Sequence, residues 1–324
     1  MFGWKNIFPT ADKEKSSWGE GIIVSLAELI AEQKHSFGIM GASRKKVHTA
    51  SGGSFRSPFR GRGMEFDEIR EYKSGDDIRT IDWKVTAKLG KPFTKLFHEE
   101  RERPLFLLVD MRPNMRFGTK VAFKSVIAAK AAALIAWSGK EVGDKIGGIV
   151  FSASKYVRLE PHRQRRRLLG FLQAITDASG DSAPKGGTSL AEALGEMRRV
   201  ARMGGVVFVI SDFYDFNDEA KKQLTLISAH CDVVCIYVAD HLEDTPPPPG
   251  VYRVSDGSSQ SITFNAGDSR WREEYQELFS LRKKNVESFC ARRGAIFVEV
   301  FTDSDVPAVL RSAMRKKRRK DNGT

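Results

Sequence analysis

Three aspartates in this sequence each close a short apolar run. Asp110 follows Leu105–Val109, Asp212 follows Val206–Ile210 and Ser211, and Asp240 follows Val233–Val238 and Ala239. In an open α/β sheet, ligands bind outside the carboxyl ends of the strands, where strand order reverses. If the strands starting at Leu105 and Val206 are neighbours there, Asp110 and Asp212 approach each other. Two close carboxylates repel unless a cation or proton lies between them, and a hard divalent cation with oxygen ligands, most simply Mg²⁺, fits that need. Lys185-Gly186-Gly187-Thr188-Ser189-Leu190 adds a glycine turn entering a helix, with a hydroxyl at its start. Each feature has a plainer explanation. Ser and Thr satisfy orphan N–H groups at helix starts, and a strand-end aspartate often caps the helix that follows.

These residues need a scaffold, and from about residue 104 the pattern supplies one. Leu105–Val109, Ile146–Phe151, Val206–Ile210, Val233–Val238 and Ala295–Phe301 are apolar, β-rich runs without alternation. Strands covered on both faces look like this. Between them, Lys120–Ser138, Arg163–Thr176, Ser189–Arg202, Glu219–Ala229 and Ser269–Arg292 carry helical spacing. Alternating strands and helices predict an α/β fold with a mostly parallel sheet and helices on both faces. Tyr156–Leu159 follows Ile146–Phe151 too closely for a crossover, which predicts an antiparallel edge strand. Ile22–Gln33 reads as an amphipathic helix docked on the protein's own body, with Ile22, Leu26, Leu29 and Ile30 on its apolar face. Residues 38–63 read as a loop, 64–73 and 92–102 as two extended charged segments, Val251–Val254 and Ser261–Phe264 as a small hairpin, and Arg315–Lys320 as a frayed basic tail.

Several chemistries are excluded. There is no Walker A loop, no G-x-S-x-G elbow and no H-E-x-x-H, and Gly61-Arg62-Gly63 lacks the third glycine of a dinucleotide fingerprint. The six histidines lack ligand spacing. Cys231, Cys235 and Cys290 are too few for a disulfide framework, which points to a reducing compartment. No stretch reaches the about 18 apolar residues of a membrane span, and no secretory signal is recognisable.

Asp110 opening a loop, Gly-Gly-Thr188 before a helix and Asp212 ending a strand resemble the metal-ion-dependent adhesion site of von Willebrand factor A domains. Upstream, Arg62-Gly63-Met64-Glu65-Phe66, Arg70-Glu71-Tyr72, Gly75-Asp76-Asp77-Ile78-Arg79 and Ile81-Asp82-Trp83 resemble the signature of the bacterial family called domain of unknown function fifty-eight. The match continues through Ala87, Lys95 and Glu99-Glu100 to Asp110 and Met115–Thr119, and covers roughly residues 20–310. The resemblance implies a von Willebrand A-like fold with an N-terminal helix and a β-appendage. It divides the chain into 1–60 (helix and flexible segment), 61–103 (charged appendage), 104–310 (main domain) and 311–324 (tail). It also implies a non-enzymatic adaptor that works with a MoxR-type AAA+ ATPase on a client protein complex in the cytoplasm.

The sequence departs from the adhesion-site loop Asp-x-Ser-x-Ser. Arg112 and Asn114 stand at the two serine positions. Asn can still offer a carbonyl oxygen, whereas Arg carries a permanent positive charge and cannot ligate a cation. Two arrangements are open. Arg112 points outward and leaves a depleted Mg²⁺ site of Asp110, Asn114, Thr188 and Asp212. Alternatively, its guanidinium replaces the metal and pairs with Asp110 and Asp212. The second is favoured, because it neutralises the pair without an ion.

The net charge of +12 leaves nucleic acid, an anionic membrane surface or an acidic protein as partners. Six of those units lie in Arg315–Lys320, leaving +6 for the rest. In the 60–103 block, arginines and aromatics alternate with Asp76, Asp77 and Asp82, which would repel phosphates. Ion pairs that hold the appendage to the main domain fit better than a nucleic-acid surface. What stays local and unbalanced is Arg158, Arg163, Arg165, Arg166 and Arg167, a candidate docking patch for an acidic partner. The expected function is therefore a protein-interaction module with a degenerate adhesion site, with no nucleic acid and at most peripheral membrane contact. The alternatives are a metal-dependent phosphoesterase or nuclease, and a basic nucleic-acid-binding protein.

Overall fold

The structure, a computed structural model, describes residues 21–40, 64–73, 76, 78–99, 104–154, 156–181, 187–255 and 261–322. The signature positions Arg62, Gly63, Gly75 and Asp77, and Lys185 and Gly186 of the glycine turn, lie outside the described residues. Of Phe66, Lys95 and Glu99 only the backbone is described. The chain divides into two compact units, with boundaries between Ser43 and Arg44 and between Glu102 and Arg103.

The larger unit opens with α1 (Leu26–Ala31), shorter than the amphipathic pattern suggests. Ser25 and Glu28 form a reciprocal capping box that fixes its start, so Ile22 lies outside the helix and is exposed. Leu29 is fully buried, and its carbonyl accepts a 2.9 Å hydrogen bond from Trp137 Nε1. The helix is thus fastened to the body by Leu29, with Leu26 and Ile30 packed against the same cluster, and by one buried polar bond. Leu29→Ala is expected to cost about 2–5 kcal/mol of unfolding free energy, measured by urea denaturation.

The smaller unit pairs β1 (Met64–Glu71) with β2 (Phe93–Glu99) antiparallel, with a bulge between Phe66 and Glu68. Between them lies a helix that the charge pattern hides, α2 (Trp83–Leu89). Asp82 caps it by accepting from the N–H groups of Lys84 and Val85, and Gly90, at φ 71°, ends it in the left-handed region.

The sheet of the larger unit begins with β3 (Leu105–Asp110), followed by α3 (Lys124–Glu141), β4 (Ile146–Phe151), β5 (Tyr156–His162), α4 (Arg165–Ser179) and α5 (Leu190–Val200). It continues with β6 (Val206–Ser211), α6 (Asp218–Ser228), β7 (Asp232–Ala239), α7 (His241–Asp244) and the hairpin β8 (Val251–Ser255) and β9 (Ser261–Asn265). The chain closes with α8 (Ser269–Arg293), β10 (Ile296–Phe301) and α9 (Val306–Asn322). The six-stranded sheet has the order β10-β7-β6-β3-β4-β5, parallel except for β5, which runs antiparallel to β4 at the edge. The arrangement is the mostly parallel α/β sheet expected, consistent with a von Willebrand A-like fold.

Side-chain alternation explains the two-sided core. Leu105, Leu107 and Val109 of β3 join one apolar cluster with α1, α3, α4 and α9. Phe106 and Leu108 join the other, with α5, α6 and α8. Helix α3 is buried around nearly its whole circumference, and its alanines let neighbouring elements approach from every side. It starts at Lys124, four residues later than its spacing suggests. The preceding segment is held as a loop by Phe123 N–H on Gly21 O and by Thr119 on Asp240. The basic run Arg315–Lys320 is not a frayed end but the continuation of α9.

Candidate functional site

Chain order reverses at β3 and β6. From β3 the sheet grows one way through β4 and β5, and the other way through β6, β7 and β10. The parallel register sets Val109 beside Ile210, so Asp110 and the Ser211-Asp212 pair leave the sheet together. Ser211 Oγ donates to Asp110 Oδ2 at 2.7 Å. Beyond Asp212, Phe213 takes φ 52°, a left-handed conformation rare for a bulky residue. Its N–H donates to Ser211 Oγ, and its ring stacks on Tyr237 in the core. This turn sends Asp212 to one side and Asp215 to the other.

Two side-chain cations neutralise the carboxylates. Arg112 donates to Asp110 through Nε (3.0 Å) and Nη2 (2.8 Å), and to Asp215 through Nη1 and Nη2 (both 2.8 Å). Its guanidinium carbon lies 5.1 Å from the Phe151 ring centre. Lys124 Nζ donates to Asp212 Oδ2 and Glu243 Oε1, each at 2.8 Å. Asn114 Nδ2 donates to Asp212 Oδ1 at 2.8 Å. The site therefore consists of two carboxylate–cation–carboxylate triads, Asp110–Arg112–Asp215 and Asp212–Lys124–Glu243. Asp110, Asp212 and Lys124 are buried, while Asp215 and Glu243 keep some exposure.

Burial disfavours every one of these charges, and the pairing opposes it. Burial would push the Asp212 carboxyl up, but Lys124, Asn114 and the Tyr214 N–H hold it below its ordinary range. Burial likewise works against Asp215, where Arg112 and the Leu190 N–H win and hold it low. Arg112 and Lys124 pay a burial penalty and are nonetheless held above their ordinary values by their carboxylates. Asp110 is fully enclosed, and its burial pushes it up, with the neighbouring Asp212 adding to the effect. It still accepts from the Arg112 backbone and guanidinium and from Ser211, a donor set that favours the ionised form.

The arrangement corrects the expected pairing. Arg112 turns inward onto Asp110, but its second partner is Asp215 rather than Asp212, and Asp212 belongs to Lys124. Thr188 is half-buried and takes no part in the cluster. Ser189 is the N-cap of α5, in a capping box with Glu192, and Asp215 accepts from the first helical N–H at Leu190. Asp240 serves as the N-cap of α7 and also accepts from Thr119 and Thr302. A divalent cation at the expected site would need carboxylate and amide oxygens turned toward it. Both oxygens of Asp110 and of Asp212 already accept from side-chain donors, and Asn114 presents its NH₂ group. The residues present do not fit a resident Mg²⁺. Among the described residues no group of three or more acidic, His or Cys side chains is arranged to hold a metal.

Lys124, Asp215 and Glu243 are not among the residues that the sequence spacing brings to the site. A lysine directly preceding an alanine-rich apolar run, and an aspartate set among Phe213, Tyr214 and Phe216, were the available signals. In the smaller unit, the signature residues Arg70 and Asp76 form a 2.8 Å ion pair, and Tyr72 Oη donates to the Asp76 carbonyl. Asp82 caps α2, Arg79 lies in a short turn beside it, and Trp83 is exposed on the first turn of α2. In the proposed docking patch, Arg158 pairs with Glu160, and Arg163, Arg165, Arg166 and Arg167 are exposed around the start of α4.

The family model for proteins of unknown function named DUF58 matches residues 68–285. The chain belongs to this family. Uncharacterized proteins of Mycobacterium tuberculosis and Mycobacterium bovis are 29% identical to it over 246 residues, spanning 76% of this chain and 77% of theirs. The uncharacterized Bacillus subtilis protein YeaD is 36% identical over 66 residues, 20% of this chain and 15% of its own. Among solved structures, an aerotolerance-related membrane protein from Bacteroides fragilis aligns with 67% of this chain and 99% of its own, at a TM-score of 0.41 and 17% identity. The pilus adhesin SpaC from Lactobacillus rhamnosus GG aligns with 69% of this chain and 31% of its own, at a TM-score of 0.40 and 9% identity. Among the described residues of this DUF58 protein, no helix is long and apolar enough to cross a membrane.

Proposed function

We propose that this DUF58 protein is a non-enzymatic protein-interaction module. It acts in the cytoplasm with a MoxR-type AAA+ ATPase on the assembly or activation of a client complex. The observation that carries this reading is the internal neutralisation of the sheet-edge carboxylates. Asp110 and Asp212 are each bound to a cation of the chain itself. A general base must reach a substrate proton, and a metal-activated water needs open coordination. Carboxylates engaged in this way favour a rigid binding scaffold over a hydrolytic centre. The ATPase partner follows from the resemblance of the 62–119 block.

The test is affinity capture of the full chain from its native host with a slowly hydrolysed ATP analogue, followed by mass spectrometry. Enrichment of an AAA+ ATPase that depends on the nucleotide is the expected result. Capture without any such ATPase would overturn the reading. So would divalent-metal-dependent turnover of phosphoesters that Asp110→Ala abolishes.

A further inference from the structure

The sheet has one edge whose backbone no other described strand pairs with and whose surroundings are strongly basic. That edge is β5. Its inner side pairs with β4, and among the described residues no strand lies along its outer side. On an antiparallel edge, alternate residues turn their N–H and C=O groups outward, which makes a template for an added strand. Pro161 has no N–H to offer, so the usable ladder is Tyr156–Glu160.

Charge selects what could add there. Tyr156, Arg158, Glu160 and His162 are exposed on one face of β5. On the other face, Leu159 packs into the core cluster that includes Leu168 and Phe171 of α4, which brings the first turn of α4 close. That turn is Arg165-Arg166-Arg167, all exposed, with no acidic residue and no side-chain cap at Gln164. Arg165 lies over the Trp137 ring, and among the described residues Arg166 and Arg167 have no ion-pair partner. Three arginines at the positive end of a helix repel both one another and the helix dipole. Apart from the Arg165–Trp137 contact, no side-chain partner among the described residues offsets the charge of Arg166 and Arg167.

We propose that β5 and the first turn of α4 receive an extended acidic peptide of a partner protein, added as a seventh strand. Main-chain bonds to Tyr156–Glu160 hold the peptide. Its acidic side chains alternate between the two faces, displacing Glu160 from Arg158 on one and meeting Arg166 and Arg167 on the other. The surface is defined without reference to the ATPase reading, and its test uses no ATPase, so either can fail alone.

The probe is a labelled decaglutamate, which presents carboxylates on both faces of an added strand, with decalysine as control, titrated into the full chain by fluorescence anisotropy. Saturable binding of the acidic peptide is expected, weakening as salt is raised. Affinity should fall at least tenfold in R166E/R167E, and amide hydrogen exchange should slow along Tyr156–Glu160 when peptide is bound. The reversed charges complement the helix dipole, so the variant's melting temperature should hold or rise. Absence of saturable binding would overturn the proposal. Equal binding of the lysine peptide, indifference to R166E/R167E, or protection confined to other strands would do so as well. Binding to phosphatidylglycerol vesicles without binding to the peptide would also reject it, in favour of a lipid surface.

Discussion

Replacing Lys124 by methionine is expected to lower the unfolding free energy by about 3–5 kcal/mol at neutral pH. Methionine keeps most of the side chain's volume but removes the charge, so packing changes little. What changes is that Asp212 remains 2% exposed and loses its 2.8 Å cation, while Glu243 loses the same partner. Breaking a buried ion pair from one side costs about that much, because the remaining charge stays desolvated. The pH dependence gives the prediction its signature. In the wild type the Asp212 carboxyl is held below its ordinary value. Its contribution is therefore fully present above the unfolded-state value of about 4 and is lost as pH falls through the folded-state value. Without Lys124, burial dominates and raises the Asp212 pKa. The variant then binds a proton on folding and is least handicapped in mild acid. Urea unfolding at pH 7 and pH 5 should show the gap between wild type and variant narrowing at pH 5. A gap independent of pH would mean that packing, not charge, carries the loss.

Arg112→Ser carries the second large effect. The guanidinium makes four hydrogen bonds to two carboxylates and stacks near Phe151. Its removal leaves Asp110 buried and Asp215 unpaired, again about 3–5 kcal/mol. Serine also restores a hydroxyl where the adhesion-site loop has one and frees carboxylate oxygens around a volume the size of the lost guanidinium. A hard divalent cation should then rescue what the cation side chain supplied. Calorimetry should detect stoichiometric Mg²⁺ or Mn²⁺ binding to the variant and none to the wild type, and the metal should raise the variant's melting temperature. Stoichiometric binding by the wild type would show that Arg112 does not replace the ion.

The strands were legible because their chemistry is local. Apolar runs such as Leu105–Val109 and Val206–Ile210 are short and rich in β-formers, as strands covered on both faces are, and the short connection before Tyr156 leaves only a hairpin. The aspartates at their ends were legible for the same reason. Partner choice was not, because it depends on contacts between segments that spacing cannot relate. Lys124 reads in sequence as an ordinary charged helix start, and only the loop fastened by Thr119 and Phe123 turns it inward. Asp215 reads as a loop residue, and only the left-handed turn at Phe213 aims it at Arg112. Helix α2 was hidden because seven residues with scattered charges show little periodicity. Its real markers were the cap at Asp82 and the stop at Gly90.

The two triads also bear on how the chain lives in time. Asp212 and Lys124 are 88 positions apart, Arg112 and Asp215 are 103 apart, and Lys124 and Glu243 are 119 apart. Each of these bonds closes only once the distant elements it joins are together, since isolated charges gain little before water is excluded from around them. Interactions that form after the folding barrier leave the refolding rate alone and appear in the rate of unfolding. The charged cluster at the sheet edge thus works as a late-closing latch, setting how long the folded chain stays folded rather than how quickly it arrives.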